Sequence, residues 1–200
     1  MLYSAFRFLF IVFIGIILFV LYKKSILKTK VKILICTICL SLSIALTLFP
    51  FENLFYHFDS AESVFRYVRS SPIVRTVDGS ESSLVLYKSG ETSTGVYFVL
   101  KDGNKYKICP INSVKKVRSD IYDSFVINIY HVNATSDYYL ELIGGVDNGQ
   151  TITIKDGDGK EYEIIRDDMQ TQDIIRCVYS INYDPYYQLY INDHLVIPAS

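Results

Sequence analysis

Polar and apolar positions follow three successive rhythms along this chain. From Phe8 to Tyr22 the run FLFIVFIGIILFVLY carries no charge, and Leu2 to Phe6 extend it beyond Arg7. A second run, Ile33 to Phe49 (ILICTICLSLSIALTLF), would make roughly 25 Å of helix, against a hydrocarbon core of about 30 Å. Phe51, Leu54 and Phe55 can complete its apolar length. Unbroken apolarity on this scale predicts two transmembrane helices, about residues 6–22 and 33–49, joined as a hairpin by residues 23–32.

The rhythm changes over residues 51–70. Phe51, Phe55, Tyr56 and Phe58 form an aromatic stretch after Pro50, of the kind that sits at a membrane interface. Asp59-Ser60-Ala61-Glu62 then opens like a capping box, and Ala61, Val64, Phe65 and Val68 share one face of a short amphipathic helix. About ten residues of helix are marginal alone, so this one needs a surface to dock on.

Beyond residue 70 the period falls to two. β-Branched and aromatic runs at 73–77, 83–88, 95–101 and 105–109 are separated by Asp78-Gly79, Ser89-Gly90 and Asp102-Gly103-Asn104. Further runs lie at 124–132, 137–143, 151–155, 161–166, 173–183 and 186–191. Short connections without intervening helices exclude parallel crossovers, so residues 71–200 read as an all-β antiparallel domain, a sandwich or packed meanders. At an offset of 54 residues Leu86 falls on Leu140, Gly90 on Gly144, Gly95 on Gly149, and Lys101-Asp102-Gly103 on Lys155-Asp156-Gly157. Two related meanders and chance resemblance among turn-rich strands both account for this.

Charge gives the hairpin a direction. Residues 1–50 hold six basic side chains and no acid, whereas residues 51–200 hold 14 basic against 21 acidic ones. Lysines 23, 24, 28, 30 and 32 crowd the connection, which the positive-inside bias keeps in the cytoplasm. The β domain is then extracytoplasmic, on a two-span protein of the cell membrane. Cleavage after the first run is disfavoured, because lysines stand where a small-residue site belongs. The near-neutral total is a cancellation between the two parts, and nothing in the pattern points to nucleic acid.

Candidate chemistry is sparse. Cys36-x-x-Cys39 lies inside an apolar run with no His, Asp or Glu to complete a metal site, so helix packing explains it better. Cys109 and Cys177 are the pair available for a disulfide, with two buried thiols as the alternative. Asp156-Gly157-Asp158 opens like a calcium loop, but Lys160 occupies a ligand position and no closing Glu follows; a glycine turn accounts for the same residues. No metal or other cofactor is expected. Lys115-Lys116-Val117-Arg118 reads as a solvated loop or a contact to anionic polymer. His57, His131 and His194 have no ligand spacing, and no nucleophile, phosphate-loop or dinucleotide motif occurs. Tyrosine stands out: 15 of 17 follow residue 50, and exposed pairs at Tyr138-Tyr139 and Tyr186-Tyr187 would make a binding platform.

The join FENLF (51–55) followed by Ser60-Ala61-Glu62, with the two apolar runs before it and YYQLYIN near the end, resembles a group of uncharacterised two-span membrane proteins of low-GC Gram-positive bacteria. Their pattern has Ser-Pro-Glu where this chain has Ser60-Ala61-Glu62, and Ala where it has Val64. The resemblance implies an envelope location and a β-rich outer domain, and brings no catalytic residues. The expected partners are the lipid bilayer and a membrane or cell-wall component. The expected function is binding or structural, the alternatives being an envelope hydrolase or transferase whose acids converge only in the fold, or a bacteriocin-immunity or stress-sensing accessory protein.

Overall fold

The computed structural model describes residues 2–23, 29–48, 50–90, 93–145, 152–162 and 174–198. Helices α1 (Leu2–Lys23) and α2 (Thr29–Leu48) occupy the two apolar runs and touch each other. Counted over the described residues, no helix is long and apolar enough to cross a membrane. A 3-10 turn, Phe51–Leu54, and helix α3 (Ala61–Val68) follow. Ser60 caps α3: its hydroxyl accepts from the Ser63 amide at 3.1 Å, and the Ser63 hydroxyl accepts from the Ser60 amide at 3.1 Å. The capping box is therefore Ser60–Ser63. Glu62 instead accepts a hydrogen bond from the Thr76 hydroxyl at 2.7 Å, fastening the helix to a strand.

Among the described residues that follow, the strands are antiparallel and form three four-stranded sheets. The first is a simple meander of β1 (Ile73–Asp78), β2 (Ser82–Lys88), β3 (Thr94–Asp102) and β4 (Lys105–Ile108). The second takes β5 (Val114–Tyr122), β6 (Phe125–Val132), β7 (Tyr138–Gly145) and β10 (Ile174–Ile181), in the order β10-β7-β6-β5. The third is small and runs β12-β11-β8-β9, from β8 (Ile154–Asp156), β9 (Glu161–Tyr162), β11 (Leu189–Ile191) and β12 (His194–Ile197).

Side-chain alternation stacks these elements in layers. Along β2, Val85 and Tyr87 point to α3, where they meet Val64 and Phe65, while Leu84 and Leu86 point to the second sheet. Along β6, Ile127 and Ile129 face the third sheet, and Val132 faces the first. The order is α3, first sheet, second sheet, third sheet, so the second sheet is buried on both faces. Two glycines let large rings lie flat across a strand pair. A Cβ on Gly95 would come within 2.5 Å of the Tyr87 ring opposite it, and one on Gly144 within 2.3 Å of Phe125.

Several expectations change. The basic segment at 115–118 belongs to β5, an edge strand whose exposed lysines discourage pairing with another chain. Tyr186 and Tyr187 lie in a turn before β11 rather than in a strand, because the Asp184 carboxylate accepts from the Tyr186 amide at 2.8 Å and turns the backbone. The offset of 54 residues maps hairpin β1–β2 onto hairpin β6–β7, but β8 and β9 leave for the third sheet and β10 takes the place beside β7. The matched Gly149, and parts of the runs at 151–155, 161–166 and 173–183, lie outside the described residues.

Candidate functional site

The joint between helices and β domain is built residue by residue from FENLF. Glu52 receives the Arg7 guanidinium from α1 at 3.2 Å, with the pair about nine-tenths buried. Arg7 also lies 5.7 Å from the centroid of the Phe51 ring. The Asn53 side chain imitates a strand: its amide donates to the Ile108 carbonyl at 2.8 Å and its oxygen accepts from the Ile108 amide at 2.9 Å. Phe58 forms a bridge with Tyr106 through two backbone hydrogen bonds of 2.9 Å. Burial, then the nearby Glu52 charge, hold the Tyr67 hydroxyl above its usual pKa, with Arg7 opposing. These contacts dock α3 and the turn firmly on the first sheet.

Of the aromatics expected at a membrane interface, Phe55 is 83% exposed, Tyr56 is exposed and Phe51 is half-buried. Phe58 departs from the expectation: it is a core residue, because the bridge to Tyr106 turns its ring in beneath α3. Phe51, Phe55, Tyr56, Phe58, Arg66 and Tyr67 line much of an open groove of about 620 Å³.

The tyrosine platform also needs correction. Tyr139 is fully buried between the first two sheets, and Tyr187 is 7% exposed in the core beneath the third. Tyr138 is half-buried, stacked on His131 with centroids 4.4 Å apart. Of the four residues only Tyr186, 77% exposed, offers its ring to solvent. Neighbours in a strand face opposite sides of a sheet, so Tyr138 and Tyr139 could not share a surface.

The structure instead joins Tyr186 and Tyr187 to the Asp156-Gly157-Asp158 turn. Together with Lys160, Tyr162, Asn182, Asp184 and Gln188 they line a mainly polar pocket of about 410 Å³. Asp156 organises the turn. Its Oδ1 accepts from the amides of Lys160 at 2.8 Å and Asp158 at 3.2 Å, and its Oδ2 from the Tyr162 hydroxyl at 2.9 Å. Gly159 supplies the positive φ of 81°. Among the described residues no group of three acids, histidines or cysteines is placed to hold a metal ion. Burial raises the pKa of both Tyr162 and Tyr187. The two hydroxyls are near enough to influence each other, yet the Tyr187 hydroxyl meets hydrogen-bond geometry with no described group and is buried without a partner.

Two further polar clusters escaped sequence reasoning. Asp137 accepts from the Ser80 hydroxyl at 2.6 Å, the Ser82 hydroxyl at 2.6 Å, and the amides of Ser80 and Glu81 at 2.8 Å each, latching the β1–β2 turn to the β6–β7 turn. Glu141, 1% exposed, accepts from Asn128 at 2.8 Å and Tyr130 at 2.9 Å and is paired with Arg176, which also reaches the Thr94 hydroxyl at 2.9 Å. Both clusters are filled by protein donors and cross-link sheets. Burial holds the Tyr130 hydroxyl well above its ordinary pKa, with Glu141 adding to the effect.

Cys109 and Cys177 are not bridged. Cys109 lies between the first and second sheets and Cys177 between the second and third, so the central sheet separates them. Burial pushes the Cys109 thiol up to about 12, which suppresses the reactive thiolate. On α2, Cys36 is exposed and Cys39 half-buried. The histidines remain apart: His57 lies 3.2 Å from Asp102, His131 is stacked on Tyr138, and His194 begins β12. Compared with protein-family models, with curated proteins and with solved structures, the chain finds no match.

Proposed function

We propose that the chain is a two-span protein of the cell membrane that holds its β domain outside the cytoplasm, where the domain binds or braces a component of the envelope. The sequence of the two runs as wholes supports the spans: α1 carries Arg7 and Lys23 as its only charges, and α2 only lysines near its start. This takes in residues such as Leu9, Phe10 and Leu21, whose side chains lie outside the described set. The lysines of the connection keep it cytoplasmic under the positive-inside bias.

The observation that carries the reading is the Arg7–Glu52 pair. Arg7 stands near the start of α1 and Glu52 just after α2, so the pair draws together the two helix ends opposite the lysine-rich connection. An arginine at that end of a span is costly unless paired, and Glu52 supplies the partner. The exposed Leu54, Phe55 and Tyr56 beside it suit headgroup depth.

Cysteine labelling tests the reading. A membrane-impermeant maleimide should modify an Asn104→Cys variant on intact cells, at an exposed turn of the β domain. A cysteine placed in the 23–32 connection should react only after lysis. The opposite pattern would overturn the orientation, and recovery of the chain in the soluble fraction would overturn the spans.

A further inference from the structure

The layer order places the polar pocket on the third sheet, beyond the second sheet from α3 and therefore on the order of 20 Å past the first sheet. We infer that this pocket binds a hydroxyl-rich ligand bearing a positively charged amine, of which an amino sugar unit is the simplest case. Five observations converge on this, and none depends on the membrane reading.

The volume of about 410 Å³ is in the range of small-ligand sites. Its charged lining is three aspartates, Asp156, Asp158 and Asp184, against Lys160, an excess of two negative charges. Asp156 is engaged through both oxygens by its own turn and Lys160 stands 5.3 Å from the centroid of the Tyr162 ring, whereas Asp184 is engaged through Oδ1 by the Tyr186 amide, so Asp158 and Oδ2 of Asp184 are left to meet a cation. The exposed Tyr186 ring follows Asp184 closely in the same turn and offers a face for an amine or for the C–H face of a sugar. Asn182 and Gln188 add neutral amides for hydroxyls. Finally, Tyr187, which lines the pocket, carries a buried hydroxyl that has no hydrogen-bond partner among the described residues.

The test uses the full chain in detergent micelles and two probes, the tetramer of glucosamine and its fully N-acetylated counterpart, titrated calorimetrically at mildly acidic pH. The free-amine tetramer should bind, and about tenfold or more tighter than the acetylated one. Asp158→Asn with Asp184→Asn should weaken it by about tenfold while leaving thermal unfolding unchanged, since Asn can still accept from the Tyr186 amide. Tyr186→Ala, an exposed ring outside the core, should weaken both probes. Equal affinity for the two tetramers, binding of neither, or undiminished binding by the double aspartate variant or by Tyr186→Ala would each overturn the inference.

Discussion

Asp137 and Glu141 show how single carboxylates decide this fold. Burial on its own would raise the Asp137 pKa, but the hydroxyls of Ser80 and Ser82 and the amides of Glu81 and Ser80 together outweigh it and hold the carboxyl below the usual aspartate value. Ionised Asp137 therefore stabilises the fold above that ordinary value, about 3.9, and the contribution is lost as pH falls through the lower folded value. The urea midpoint should drop on acidification below about pH 4, and an Asp137→Asn variant, less stable at neutral pH, should show a flatter acid limb. Gly79 is part of the same arrangement, for a Cβ there would meet the Asp137 carboxyl at 2.6 Å. For Glu141, neutralisation leaves the mostly buried Arg176 without its ion partner. Glu141→Gln should cost about 3–5 kcal/mol in chemical denaturation, whereas replacing both residues by apolar ones should cost less than that.

Helix α3 is too short to persist alone and exists because its apolar face is taken up by β2, β3 and β4. Packing should therefore matter more than capping. Phe65→Ala, at a fully buried position, should cost about 3–5 kcal/mol, and Ser60→Ala about 1 kcal/mol, both read from thermal unfolding of the full chain. Equal losses would mean that the helix is held by its cap and not by the sheet. Strand β5 was illegible in advance because charged and polar residues interrupt its alternation. An edge strand can carry them, and only the pairing of Lys116 with Tyr130 and Ser119 with Asn128 reveals it as a strand.

In the whole molecule the joint ties the start of α1 to the turn that leads into α3 and the first sheet. Removing either partner of the Arg7–Glu52 pair leaves the other charge buried. Arg7→Gln or Glu52→Gln should speed amide hydrogen exchange across residues 51–68, and the Arg7→Met, Glu52→Leu double variant should restore part of the protection. If neither single variant changes exchange there, the joint is held by its other contacts, Asn53 to Ile108, Phe58 to Tyr106, Glu62 to Thr76 and the α3 core face among them.

The apolar runs, the asymmetric lysines and the period-two strands were legible in the sequence, because helix length and face alternation are local properties of the chain. Antiparallel pairing followed from short connections. The sorting of strands into three sheets did not, since it depends on which faces bury together once alternation has made both sides of the second sheet apolar. That choice buried Tyr139 and Tyr187 and kept Cys109 and Cys177 on opposite sides of one sheet, while the packing of α1 on the Phe51–Leu54 turn made Arg7, an interruption of a hydrophobic run, the partner of Glu52. It also brought Asp156 and Asp158, 26 or more residues from Asp184 and Tyr186, to a single pocket. Residues distant in the chain meet only through tertiary packing, and their sequence spacing carries no trace of it.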